Sequence, residues 1–140
     1  MKSTISLFII AVLFSMSCGD DNKKAKDQLY DKVMAVHDEI MPKMGDITKY
    51  KKQLTVMIDE LIEAGREENE ARIAELKKAV EDLENSHDGM MNWMRAFDND
   101  FEGKVHEEVM EYLEDQKTRI EKVGKETNTA LKNAEKLLTK

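Results

Sequence analysis

Two segments of the chain place histidine and methionine at one shared spacing. Residues 37–44 read His-Asp-Glu-Ile-Met-Pro-Lys-Met and residues 87–94 read His-Asp-Gly-Met-Met-Asn-Trp-Met, so both match H-D-x-x-M-x-x-M. Positions i, i+4 and i+7 line one face of a helix, and imidazole with thioether is a ligand set that suits Cu(I). The repeat predicts a Cu(I) site of two or three ligands, with the ring of Trp93 beside the ion. The candidate ligands are His37, Met41, Met44, His87, Met90, Met91 and Met94.

The same residues also suit a closed helical core that binds no ion. Methionine fills irregular gaps between helices, and a buried neutral histidine can donate to a backbone carbonyl or a neighbouring carboxylate. Asp38 and Asp88 directly follow the two histidines and offer such carboxylates. Packing and Cu(I) binding are therefore alternative hypotheses for the repeat.

Catalytic motifs are poorly represented, and the sequence predicts a protein that is not an enzyme. Glu84-x-x-His87 matches one half of a di-iron carboxylate site, but the residues three before the other two histidines are Met34 and Gly103. Cys18 is the only cysteine, and the chain contains no zincin motif and no glycine-rich phosphate loop. One acidic run predicts a solvated face, with weak binding of a divalent cation as the alternative: Glu107, Glu108, Glu111, Glu114 and Asp115.

Apolar residues recur at alternating spacings of three and four along three segments, with charged residues between them. This period is typical of packed or coiled-coil-like helices, and a charged fraction of 36% with a single proline agrees with it. Gly65 and the segment 98–103 mark turns. Pro42 predicts a kink, because proline lacks the N–H that would bond to the carbonyl of Asp38. The predicted helices cover about 23–64, 67–97 and 104–138.

Short connections between these helices predict an all-α, up-down-up antiparallel three-helix bundle over residues 23–140. Folding the chain at residue 65 sets the two motifs side by side and antiparallel. This predicts three pairs, namely His37 with Met94, Met41 with Met90, and Met44 with His87. The third helix adds His106, Met110 and Tyr112 at the same level. Five residues are predicted in the core: Ile40, Leu83, His87, Met90 and Val109.

The first 17 residues predict a signal peptide. Lys2 precedes an apolar run from Ile5 to Phe14, which is too short to span a bilayer. The residues Ser15-Met16-Ser17-Cys18 resemble a bacterial lipobox, in which the cysteine is acylated, with palmitate for example, and becomes the mature N-terminus. Ser15 stands where leucine is usual, and an ordinary secretory signal is the alternative. Residues 18–22 are then the lipidated cysteine and a short acidic tether.

Charge and location narrow the choice of partners. The acidic stretch behind Cys18 resembles a surface-export signal, so the sequence predicts the cell envelope, with the outer membrane or cell surface favoured over the inner membrane. The formal net charge is −7 and no basic patch stands clear of acidic residues, so the sequence predicts no nucleic-acid partner. The predicted partners are the membrane, through the lipid anchor, and a protein or a second copy of the chain, through coiled-coil pairing.

Three motifs resemble those of a group of small Bacteroidota lipoproteins that carry the label "viral A-type inclusion protein". They are His-Asp-Glu-x-Met-Pro-Lys-Met at residues 37–44, Met-Met-x-Trp-Met at 90–94 and Val-Met-x-Tyr-Leu-Glu-x-Gln-Lys at 109–117. The likeness extends over most of the mature chain. It implies a helical lipoprotein of the envelope, and it brings no catalytic residue, no cofactor and no viral role.

Overall fold

Four α-helices build three packed segments in the computed structural model, which describes residues 18–139. They are α1 (Cys18–Ile40), α2 (Met44–Glu63), α3 (Glu70–Ala96) and α4 (His106–Leu138), and α1 and α2 continue one another across a single 3-10 turn. Every regular element in this part of the chain is helical, which confirms the all-α prediction and the packing of three helical segments as a bundle. The predicted signal peptide at residues 1–17 and the side chain of Cys18 lie outside the description.

The first segment is interrupted where the proline was predicted to kink it. Residues Met41–Lys43 form a 3-10 turn that contains Pro42, and the Met44 N–H bonds to the carbonyl of Met41, three residues back. Proline cannot supply the N–H of a regular α-helical turn, so the tighter bonding takes over locally. On one side of this turn α1 packs mainly against α4, and on the other side α2 packs mainly against α3.

The turns between segments depend on glycine. Gly65 and Gly103 have φ of +63° and +73°, a conformation that glycine adopts without the strain that a Cβ would add. A 3-10 turn at Glu67–Asn69 precedes α3, so α3 begins at Glu70 and not at residue 67. α4 begins two residues later than predicted because the chain is still extended at Val105.

The N-terminal tether is helical. α1 begins at Cys18, whereas a helix was expected only from residue 23. Asp20 and Asp21 lie in the first turn of α1, where negative charge is favourable beside the unpaired N–H groups of a helix start. Between residues 18 and 139, no helix combines the length and the apolar character that crossing a membrane requires.

Two clusters of buried side chains share the core. The first, which we call the aliphatic cluster, lies where α2 meets the first half of α3 and the end of α4. The second, the mixed cluster, lies where α1 meets the end of α3 and the first half of α4. The aliphatic cluster consists of Ile47, Leu54, Ile58, Leu76, Ala79, Leu83, Ala130, Ala134 and Leu137, and the mixed cluster consists of Leu29, Val33, Ile40, Met90, Trp93, Val109, Leu113 and Ile120.

Four of the five predicted core residues are buried, and one is not. Ile40, Leu83, Met90 and Val109 are at most 3% exposed. The prediction for His87 is wrong, because its side chain is 43% exposed. α3 packs against two partners, so its buried stripe runs along the middle of a broad face and leaves position 87 on the flank. That stripe is Leu76, Ala79, Leu83, Ser86, Met90 and Trp93.

Candidate functional site, a histidine–methionine contact between α1 and α3

The structure brings the first histidine of one motif to the last methionine of the other. His37 lies near the end of α1, and its Nε2 atom is 3.4 Å from the Sδ atom of Met94 on α3. The predicted pairing of these two residues is confirmed. The other ring nitrogen, Nδ1, lies 2.9 Å from a carboxylate oxygen of Asp38. The His37 side chain is 18% exposed, so this contact is mostly shielded from water.

Trp93 forms one wall of the contact. Its ring centroid is 5.8 Å from that of His37, and on the other side it stacks on Phe97 at 4.8 Å. Trp93 is 6% exposed, and its indole Nε1–H has no hydrogen-bond partner among the residues described. Stacking therefore holds the indole in place, while its one polar atom is buried without compensation.

An aromatic group that the sequence analysis missed continues this wall. Phe97 contacts Tyr30 and Tyr112, with 6.1 Å between ring centroids in both pairs. Phe101 closes the group edge-on against Tyr30 and Tyr112. A signal was present in the sequence, because five of the six aromatic residues after the predicted signal peptide reach one level once the helices fold at residue 65 and near residue 101. For Phe101 the sequence pattern indicates only a loop.

The remaining candidate ligands occupy different environments. Met90 is fully buried in the mixed cluster. The other methionines of the two motifs are half-buried and pack against that cluster, and Met110 and Tyr112 join them from α4 as predicted. These half-buried methionines are Met41, Met44, Met91 and Met94.

The second copy of the motif is built differently from the first. His87 is 43% exposed, and its Nδ1 lies 3.3 Å from a carboxylate oxygen of Asp88, which is itself largely exposed. The two copies share a sequence frame, but the helix rotation puts His37 against a neighbouring helix and His87 at the surface. The two histidines are therefore unequal as ligands.

The loop between α3 and α4 covers the aromatic end of the bundle. The Tyr112 hydroxyl accepts a hydrogen bond of 2.7 Å from the backbone N–H of Asp98. Lys104 Nζ donates to Asp98 Oδ2 at 2.8 Å. This bond, followed by the backbone N–H of Asp100, lowers the pKa of the Asp98 carboxyl, and the same bond raises the pKa of Lys104.

Oxygen-rich metal chemistry finds little support within residues 18–139. No group of three or more His, Cys, Asp or Glu side chains in that range is placed to hold a metal ion. The acidic run on α4 is exposed along its length, as predicted for a solvated face; its members are Glu107, Glu108, Glu111, Glu114 and Asp115. No family model, no curated protein and no solved structure matches this chain.

Proposed function

We propose that the chain is a non-catalytic lipoprotein of the cell envelope, with a lipid on Cys18, and that its helical bundle has a structural or protein-interaction role. One observation carries the proposal. Buried side chains from all three helical segments form two clusters that together run along the bundle. Such a core holds the helices in a fixed relation without a ligand, which is what a spacer or a docking scaffold requires.

An up-down-up antiparallel order is part of this proposal. Residues later in the first segment contact residues earlier in the second, as expected for antiparallel neighbours. The three contacts are His37 with Met94, Lys51 with Glu84, and Leu61 with Asn69. The last two segments behave in the same way, with Asp98 against Tyr112 and Arg72 against the carbonyl of Leu137. The 33 residues of α4 correspond to about 50 Å of helix, so such a bundle is elongated.

The proposed anchor lies at the first residue of α1. A lipid on Cys18 would attach to the bundle without a long linker, on the side of the mixed cluster. The surface carries both signs of charge in exposed pairs such as Lys78 with Glu81 and Asp82. Exposed ion pairs contribute little to the free energy of unfolding, so their role here is to keep the surface of the bundle solvated. We place the protein at the outer membrane or cell surface, among lipoproteins like those of Bacteroidota.

Fatty-acid labelling tests the anchor. Cells that express the wild-type chain and are fed a clickable palmitate analogue should give a labelled band, and Cys18→Ser should give none. Ser17→Ala keeps a small residue before the cysteine and should remain labelled, which controls for general damage to export. Equal labelling of the wild type and of Cys18→Ser would refute the lipoprotein proposal.

Photo-crosslinking in intact cells tests the interaction role. A photoreactive amino acid at Val56, which is 48% exposed on α2, should give a discrete cross-linked product with a protein or with a second copy of the chain. The matched position is Leu54, which is fully buried two residues away and should give no intermolecular product. Identical patterns at the two positions would count against docking on this face.

A further inference from the structure

We propose that His37 and Met94 are the ligands of a Cu(I) site between α1 and α3, with Asp38 orienting the imidazole. The proposal goes beyond a structural role, because it gives the bundle a ligand. It is independent of the lipid anchor, since every residue involved lies in the folded bundle.

The first step concerns the tautomer of His37. A neutral imidazole carries one N–H and one lone pair, and a carboxylate only accepts hydrogen bonds. In the neutral ring, the Asp38 oxygen that lies 2.9 Å from Nδ1 places the proton on Nδ1 and leaves the lone pair on Nε2. The opposite tautomer would set a nitrogen lone pair against a carboxylate. A carboxylate that receives the second N–H of a ligating histidine is a common outer partner of metal sites, where it fixes the ring and raises its basicity.

The second step concerns what Nε2 faces. In this tautomer its lone pair points toward Met94 Sδ, another lone-pair donor, at 3.4 Å. Two lone-pair atoms with no hydrogen between them can both coordinate one cation. Metal–nitrogen and metal–sulfur bonds at zinc are about 2.0 Å and about 2.3 Å. With bonds near those lengths, an ion reaches both atoms only from a point off the line that joins them, which leaves one side open for a third donor.

The third step identifies that donor. Met41, at the start of the 3-10 turn that follows α1, comes four residues after His37, and Met91 precedes Met94 by about one turn of α3, so both stand close to the pair along the chain. Both are half-buried against the mixed cluster. Met41 stands four residues after His37, the histidine that makes the contact, whereas Met91 stands four residues after the exposed His87, so Met41 is the third ligand that we assign. Methionine has three rotatable side-chain bonds, so its sulfur can swing toward an ion without a shift of the helices.

The fourth step selects the metal. A thioether is a soft, uncharged ligand that favours Cu(I), whereas divalent hard ions need carboxylate or carbonyl oxygens. Imidazole and thioether leave the single charge of Cu(I) uncompensated, and the face of Trp93, whose centroid is 5.8 Å from that of His37, can stabilise it. Zn²⁺ should therefore not compete at equal concentration.

Titration of the full chain tests the site. The chain carries Cys18→Ser, so that its thiol cannot bind the metal, and it is kept in a non-ionic detergent under reducing conditions. Cu(I) is added in competition with a chromophoric chelator. At micromolar total metal we expect the protein to take one equivalent of Cu(I) from the chelator. Trp93 fluorescence should be quenched at the same stoichiometry. Zn²⁺ should produce no quenching. No transfer of Cu(I) from the chelator would overturn the proposal.

Matched variants from the two copies of the motif locate the ligands. His37→Leu and Met94→Leu should abolish uptake, while His87→Leu and Met44→Leu should retain it, because His87 lies at the surface. Asp38→Asn should weaken binding by about 10–100-fold, and Asp88→Asn should leave it unchanged. Met41→Leu should weaken binding, and Met91→Leu should not. Circular dichroism confirms that each variant is folded. Equal losses for the His37 and His87 variants would refute the assignment.

Discussion

The two core clusters are built by the same three helical segments, yet they bury different chemistry. The buried members of the aliphatic cluster are all leucine, isoleucine or alanine. The mixed cluster holds Trp93 and Met90, and methionines and aromatic rings pack around it. Among the described residues, the imidazole–thioether contact of His37 with Met94 belongs to the mixed cluster. Candidate ligand chemistry therefore coincides with one half of the bundle.

The methionine-rich half of the core lies beside the break in the first helical segment, and there is a physical reason for this. The 3-10 turn at Met41–Lys43 interrupts regular helix packing beside the mixed cluster, and irregular gaps are filled best by long, flexible side chains. Branched aliphatic residues have few rotamers, and with alanine they form all of the buried part of the aliphatic cluster, whereas in the mixed cluster they accompany Met90 and Trp93. The adaptable half of the core can therefore move donor atoms, while the aliphatic half keeps the helices in register.

Truncating one leucine in each half gives the largest expected effects and tests this difference directly. Leu83 in the aliphatic cluster and Leu113 in the mixed cluster are both fully buried. Replacement by alanine should cost about 2–5 kcal/mol of unfolding free energy at each site. Leu113→Ala should fall nearer the lower value, because neighbouring methionines can relax into the space. Urea denaturation followed by circular dichroism measures both. A larger loss at Leu113, or a change of a few tenths at Leu83, would show that the two halves of the core do not differ in this way.

The sequence predicted the period of each helix better than its rotation. On α3, the predictions for Leu83 and Met90 are correct, because large apolar residues stand at these positions. A pattern based on large apolar residues favours His87 over Ser86 as the buried position, because it gives little weight to a small residue. Where two helices approach a third, small residues such as Ala79 and Ser86 mark the middle of the buried face, and larger ones such as Val80 and His87 flank it.

The contact of His37 with Met94 was predictable, and the inequality of the two histidines was not. The pairing follows from the rise of a helix and from the position of the turn at Gly65, and both can be inferred from the local sequence. The exposure of His87 depends on how far α3 is rotated toward α4, and that rotation is decided by distant contacts. The close packing of α1 on α4 is likewise set by a residue far along the chain, Gly124. A Cβ there would lie 3.4 Å from Ile40, so its absence lets α1 lie close on α4.

A buried hydroxyl, that of Thr127, stands on α4 between the residues of the two clusters. Thr127 is fully buried on α4, and its Oγ1 has no hydrogen-bond partner among residues 18–139. Thr127→Val should therefore raise the unfolding free energy by about 1–2 kcal/mol, because it removes a polar group that loses its water without compensation. Ser86→Ala is the matched control, since the Ser86 hydroxyl donates to the carbonyl of Asp82 at 2.8 Å. Its removal should not stabilise the protein. Thermal melts of both variants decide the point, and a destabilised Thr127→Val would contradict the packing described.

The loop that covers the mixed cluster should be sensitive to one hydroxyl. Tyr112→Phe keeps the ring among its aromatic neighbours and removes the acceptor of the Asp98 N–H. The expected loss is about 0.5–1.5 kcal/mol. Hydrogen exchange localises the effect: the Asp98 amide should exchange faster in the variant, while the amide of Phe97, bonded to the carbonyl of Trp93 at 2.9 Å, should keep its rate. Unchanged exchange at Asp98 would mean that the loop is held by other contacts.

The smallest expected effect is the pH dependence of that same loop. Lys104 lowers the pKa of Asp98 below its ordinary value of 3.8. A depressed carboxyl pKa in the folded state contributes stability that is present above 3.8 and is lost as the pH falls through the folded value. Because both side chains are exposed, this contribution is weak and is screened by salt. Carbon NMR of the Asp98 carboxyl should give a midpoint below 3.8, and Lys104→Met should move it upward. The shift should be incomplete, because the N–H of Asp100 still donates to Asp98. Lys122→Met, which removes a charge from the exposed surface of α4, should leave the midpoint in place. A wild-type midpoint at or above 3.8 would mean that the pair does not persist in solution, and the loop would then depend on Tyr112 for its hold on the mixed cluster.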